Sequence, residues 1–137
     1  MLEEWTLSNF KSVAKPITLQ LAPLTLLVGP NSSGKSTVLQ SILMVAQTLT
    51  STMAKRPLIL NGEQVRLGFA TDVLHEGRED SPLILGFLLK PRMPRSSVKE
   101  GRNSIRVTAH FGTTTAPVGS PPALELRKVD LSLGSTV

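Results

Sequence analysis

The sequence predicts a mixed α/β fold, rich in strands, in which an antiparallel β-subdomain flanks one main helix. Three observations predict it. An apolar run, Leu24-Thr25-Leu26-Leu27-Val28, leads into a glycine-bounded loop and then into a segment with helical spacing. Elsewhere the apolar residues alternate with polar ones, the pattern of half-buried strands. The repeating βαβα order of a doubly wound sheet is absent.

Taken in order, the residues from Glu3 to Phe10 read as a first strand with Trp5 and Leu7 on one face. Ile17, Leu19 and Leu21 alternate with Thr18 and Gln20, a second half-buried strand that Ala22-Pro23 breaks. Leu24 to Val28 is expected to be a central strand covered on both faces. From Ser36 to about Leu49, Val38, Leu39, Ile42, Leu43, Val45, Ala46 and Leu49 form a wide apolar stripe, so a mostly buried helix is expected. It frays in Thr48-Leu49-Thr50-Ser51-Thr52, residues poor in helices. Leu58-Ile59-Leu60, Asn61-Gly62 and a short strand through Val65 and Leu67 predict a hairpin with a type I′ turn at Asn61-Gly62. Phe69 to Leu74 fits a short helical turn, and Leu83 to Leu89 a strand interrupted by Gly86. Ile105, Val107, Ala109 and Phe111 alternate with Arg106, Thr108 and His110, a strand with one wet face that leaves His110 at the surface. Gly112 to Pro122 is a turn-rich connector. Beyond it the apolar phase moves from Leu124 and Leu126 to Val129, Leu131 and Leu133, which implies a β-bulge or two short strands.

The loop carries the chemistry. Gly29-Pro30-Asn31-Ser32-Ser33-Gly34-Lys35-Ser36, followed by Thr37, satisfies G-x-x-x-x-G-K-[ST], in the strand–loop–helix context that this pattern requires. A polyphosphate needs many positive partial charges at close range. A loop that turns successive backbone N–H groups inward supplies them, and a helix N-terminus adds its dipole. Gly29 and Gly34 let the backbone approach, Asn31, Ser32 and Ser33 keep the loop small, and Pro30 stiffens it. Lys35 brings a full charge to the outer phosphates, and the Ser36 hydroxyl suits Mg²⁺, which prefers hard oxygen ligands.

Composition excludes other chemistries. With no cysteine there are no disulfides, thiolate nucleophiles or cysteine zinc sites, and the chain fits a cytoplasmic, reducing compartment. His75 and His110 are the only imidazoles, too few for a multi-histidine metal site. The acidic start, Met1-Leu2-Glu3-Glu4-Trp5, is unlike a signal peptide, and no apolar stretch approaches the ~20 residues of a membrane span. Aromatics are 4% of residues, which disfavours base stacking on several rings. The net charge of +5 is concentrated in a basic, Pro/Gly/Ser-containing loop over residues 90–104 and on to Arg106. Its Lys90, Arg92, Arg95, Lys99 and Arg102 are candidates to contact nucleic-acid phosphates, with a solvated connector as the alternative.

The order of a strand, Asn9-Phe10-Lys11-Ser12, a second strand, then Leu24 through Leu39 with the glycine loop, resembles the N-terminus of ABC-class AAA ATPases. That group includes the chromosome-maintenance and recombination-repair ATPases and the OLD-type ATPases. Pro57 to Gly62, with Val65, Leu67-Gly68 and Asp72, is similar to bacterial OLD-like predicted ATPases in particular. The resemblance covers residues 1 to about 75 well. It implies that residues 1–137 form an N-terminal nucleotide-binding lobe of P-loop NTPase type. It also implies that Gly29, Asn31, Ser32, Ser33, Gly34, Lys35, Ser36 and Thr37 hold ATP and Mg²⁺, with Lys11 near the nucleotide. Expected partners are a second copy or a completing subunit, and DNA.

Hydrolysis in that group needs an apolar strand ending in carboxylates and a signature segment supplied across a dimer. Asp130 follows residues too charged for such a strand, and Leu131-Ser132-Leu133-Gly134-Ser135 is a faint match to the signature. Gln47 and Gln64 are polar candidates for a metal or water contact, at no spacing that matches the family's glutamine loop. ATP binding is therefore the expected function. The alternatives are a nucleic-acid-binding module with a vestigial loop, or a structural fragment that depends on a partner.

Overall fold

The computed structural model describes residues 1–51, 58–90, 102–114 and 119–136. Five strands, β1 (Leu2–Ser8), β2 (Ile17–Gln20), β3 (Leu83–Leu89), β4 (Arg102–Thr113) and β5 (Leu124–Thr136), form one sheet in the order β2-β1-β3-β4-β5. Every pairing is antiparallel. Two helices are described, α1 (Lys35–Thr50) and the single turn α2 (Ala70–Val73).

The alternation along the strands becomes two unlike faces. Trp5 sits in register with Leu19 and Phe87, and Leu7 with Ile17 and Leu85. These residues point toward α1, where buried Trp5 donates its Nε1–H to Ser41 Oγ at 2.9 Å. Leu7, Phe10, Met44, Val73 and Leu83 are fully buried there, with Leu85 and Phe111 beside them. On the opposite face Glu4 pairs with Arg106 at 2.6 Å, and Asp130 with Lys128 at 2.8 Å. Arg106 holds the Glu4 carboxyl below the usual carboxylate range, helped by Gln20, and Lys128 does the same for Asp130. His110 lies on this face, half-buried, with Nε2 at 3.4 Å from Asp130.

The late phase change is a β-bulge within one continuous strand. His110 faces Lys128 while Phe111 faces Leu126, so Arg127 is the extra residue. Gly86 does not interrupt β3: it lies where a Cβ would come within 3.1 Å of Thr6 Cβ, and the ladder runs through it.

Three expectations are corrected. Leu24 to Val28 forms no strand; Leu24, Leu26 and Val28 are 78%, 76% and 91% exposed, because none of the described strands pairs with this segment. The helix is buried along Thr37, Val38, Ser41, Met44 and Gln47, but Leu39 and Leu43 stay exposed, as does Leu49 in its last turns. The hairpin after it closes by one bridge between Asn61 and Arg66, and neither Asn61 nor Gly62 has the positive φ of a type I′ turn. Asn61 works through its side chain instead: Oδ1 accepts from Leu67 N and Gly68 N, and Nδ2 donates to Gly68 O.

Candidate functional site

The glycine loop joins the exposed 24–28 segment to α1. Gly34 is the N-cap, in the left-handed region at φ 86, and Ser32 is left-handed at φ 64. At Gly34 a Cβ would meet nothing closer than Ser12 Oγ at 3.4 Å, so it is the backbone angle that calls for glycine. Gly29 stands at φ 154, where a side chain is strained, and a Cβ there would also be tight against Ser33 Oγ at 3.1 Å. No side chain caps α1, and its first turn holds no acidic residue. The leading N–H groups of a 16-residue helix are thus left to an anion, with the helix dipole behind them.

Lys35 folds over the loop. Its ammonium donates to Gly29 O at 2.8 Å, Pro30 O at 2.5 Å and Ser33 Oγ at 3.2 Å, which uses all three of its donors. An arriving phosphate would compete with these acceptors for the same hydrogens. Ser12 and residues 31–37 line a cleft of about 310 Å³. Ser36 is exposed to it, while Thr37 is buried and shares a 3.0 Å hydrogen bond with Ser12. The donor set of loop N–H groups, an ammonium and hydroxyls suits a polyphosphate. For a magnesium ion the chain offers the Ser36 hydroxyl, and among the described residues no three His, Cys, Asp or Glu side chains gather to hold a metal.

Of the sequence candidates, Asn31 to Thr37 come together around this cleft, and Gly29 and Pro30 close it through their carbonyls. Lys11 is not among the lining residues; its neighbour Ser12 is. The tight turn, with Phe10 and Val13 bonded in both directions, presents the serine hydroxyl to the loop.

Lys90 closes β3 and pairs with Glu3 at 2.6 Å, Arg102 begins β4, and Arg106 is committed to Glu4. Arg92, Arg95 and Lys99 lie outside the described residues. Gln47 is buried away from the cleft as a brace between α1 and the 58–67 hairpin, and Gln64 is exposed in that hairpin. Asp130 is on the exposed edge strand β5, bridged by Lys128 and His110. Leu131 to Ser135 continue that strand.

Among the described residues no helix is long and apolar enough to cross a membrane. The family model described as AAA ATPase domain matches residues 1–106. Over 42 residues the chain is 50% identical to the chromosome partition protein Smc of Halothermothrix orenii, a stretch that covers 30% of this chain and 4% of that relative. No solved structure matches the chain.

Proposed function

The chain belongs to the AAA ATPase domain family, and from that premise we propose that it binds ATP with Mg²⁺ through residues 29–37, as the N-terminal lobe of an ABC-class ATPase that acts on DNA. The observation that carries the reading is the uncapped start of α1 behind a left-handed loop, with the Lys35 ammonium already gathered at that loop. Ser36 is the metal-facing hydroxyl in this reading, and Asn31 to Ser33 shape the cradle. The short match to a chromosome partition protein supports a chromosomal role.

This chain binds, in our reading, and further polypeptide completes turnover. Phosphoryl transfer needs a group that orients the nucleophile as well as a phosphate cradle. No described carboxylate lines the cleft. Exposed Leu24, Leu26, Val28, Leu39 and Leu43 favour a completing lobe, from a subunit or a second copy, that covers these residues and brings carboxylates with it.

Calorimetric titration with Mg²⁺–ATP tests the reading. The Lys35→Ala protein loses charge-assisted hydrogen bonds worth ~1.5–3 kcal/mol each to the phosphates. It recovers part of that, because the wild-type lysine must first release its loop acceptors. A net loss of about a hundredfold in affinity is expected. Unchanged affinity in the variant would exclude the loop as the binding site.

A further inference from the structure

We propose that His75 is a positioning residue for the nucleotide site, acting through the Lys11 carbonyl to hold the Asn9–Ser12 turn against the glycine loop. The inference rests on the phosphate-site reading above and adds a control element to it.

The turn after β1 is strained. Asn9 and Lys11 both have left-handed backbones, at φ 55 and φ 48, and neither is glycine. Such residues persist only where their surroundings over-determine them. The segment from Val73 to Ser81 provides that restraint. Lys11 N donates to Val73 O at 2.8 Å, and His75 Nδ1 lies 2.6 Å from Lys11 O. A carbonyl only accepts, so Nδ1 carries the hydrogen. The Asn9 side chain, 1% exposed, accepts from His75 N and donates to Arg78 O and Ser81 O. Arg78 reaches across to Ala14 O at 2.8 Å.

What this clasp positions is Ser12. The residue after Lys11 places its hydroxyl on Thr37 Oγ1, one residue beyond Ser36 and inside the cleft lining. Both peptide groups flanking Lys11 are thus fixed from outside, its N–H by Val73 and its carbonyl by His75. The second is the peptide that joins Lys11 to Ser12. Loss of the imidazole donor frees that peptide to rotate, and the Ser12 hydroxyl leaves Thr37. Sequence gives His75 no role, because its partner is a backbone atom 64 residues away.

The test uses His75→Leu and His75→Asn in the full chain, with Lys35→Ala alongside. An asparagine Nδ2–H stands close to where the imidazole Nδ1–H stood, so it can restore the bond. In His75→Leu, Mg²⁺–ATP affinity should fall about five- to tenfold, the effect of one net hydrogen bond. In His75→Asn it should return to within about twofold of wild type. The amide resonances of Ser12 and Thr37, recorded without nucleotide, should move in His75→Leu and move back in His75→Asn. Equal losses in both variants, or amides that stay put in His75→Leu, would overturn the proposal. Failure of the nucleotide reading is separately visible as absent binding in wild type, and the amide shifts still decide the role of His75.

Discussion

Gln47 and Gly62 should be coupled so strongly that one substitution changes sign with the other. Gln47 is 6% exposed, and its amide makes three contacts: Nε2 donates to Ile59 O at 2.7 Å and Val65 O at 3.2 Å, and Oε1 accepts from Val65 N at 3.1 Å. A Cβ on Gly62 would lie 2.6 Å from Oε1. The end of a glutamine normally swings away from such a contact at little cost, but this one can move only by releasing the backbone of the hairpin. Gln47→Ala takes the partner from Ile59 O and Val65 N, at ~1 kcal/mol each in a half-buried hairpin, while Val65 O keeps Gly62 N, so a loss of about 2 kcal/mol is expected. Gly62→Ala should lose about 1–2 kcal/mol in wild type for the same reason. Gly62 does not have a positive φ. In the Gln47→Ala background the obstruction is gone, and Gly62→Ala should then stabilise by about 0.4–1 kcal/mol through the unfolded chain. Urea unfolding of the four proteins of the cycle measures this. Additive effects would refute the brace and reopen Gln47 as a site residue; so would a loss of Mg²⁺–ATP affinity in Gln47→Ala at unchanged stability.

Three further outcomes follow from named contacts. Ser41→Ala leaves the buried Trp5 Nε1–H without its acceptor and should destabilise by about 1–3 kcal/mol, read by chemical unfolding with Trp5 fluorescence as the probe. Glu4 is held below the usual carboxylate range by Arg106 and then Gln20. Its contribution to stability is therefore present above the unfolded value of about 4.3 and lost as pH falls through the folded one. Glu4→Gln should flatten the acid limb of the urea midpoint below about pH 4.3, and an unchanged limb would show that the pair contributes nothing. If the proposed action on DNA runs through the basic segment, neutralising Arg92, Arg95 and Arg102 together should lower the slope of log affinity against log salt by about 3, measured by fluorescence anisotropy. A slope that stays the same would exclude those three arginines from phosphate contact.

The parts of the fold legible in the sequence are those whose signal is local. The alternation around Trp5 and Leu7, and from Ile105 to Phe111, became paired strands whose apolar residues share one face, because pleating alone sends neighbours to opposite sides. The glycine loop was legible because its residue types answer to backbone angles, as Gly34 does at φ 86. The Asn61-Gly62 turn misled because the dipeptide fits two solutions. Here the asparagine side chain bonds Leu67 and Gly68, and the chain needs no positive φ at either position. Ser12, His75 and the burial of Asn9 were out of reach. Their partners are backbone groups or hydroxyls far along the chain, which leave no spacing to read.

Leu24 to Val28 is the opposite case, where a strong local signal and the structure disagree. An apolar run bounded by Pro23 and Gly29 reports a demand for burial, but a strand forms only where another strand offers its backbone. The described sheet ends at β2 on one side and β5 on the other, and neither edge pairs with this run. Leu39 and Leu43 of α1, which follows the glycine loop, are also exposed. The segments on either side of the glycine loop thus carry exposed apolar residues. The β-subdomain buries Leu83, Leu85 and Phe111, but Val129, Leu131 and Leu133, expected as the apolar face of β5, are 45%, 71% and 79% exposed. Both flanks of the loop keep an apolar surface that the described residues leave uncovered. In the proposed reading, a cradle with uncovered walls would hold phosphates before it could exclude water, so binding and turnover are to be measured separately.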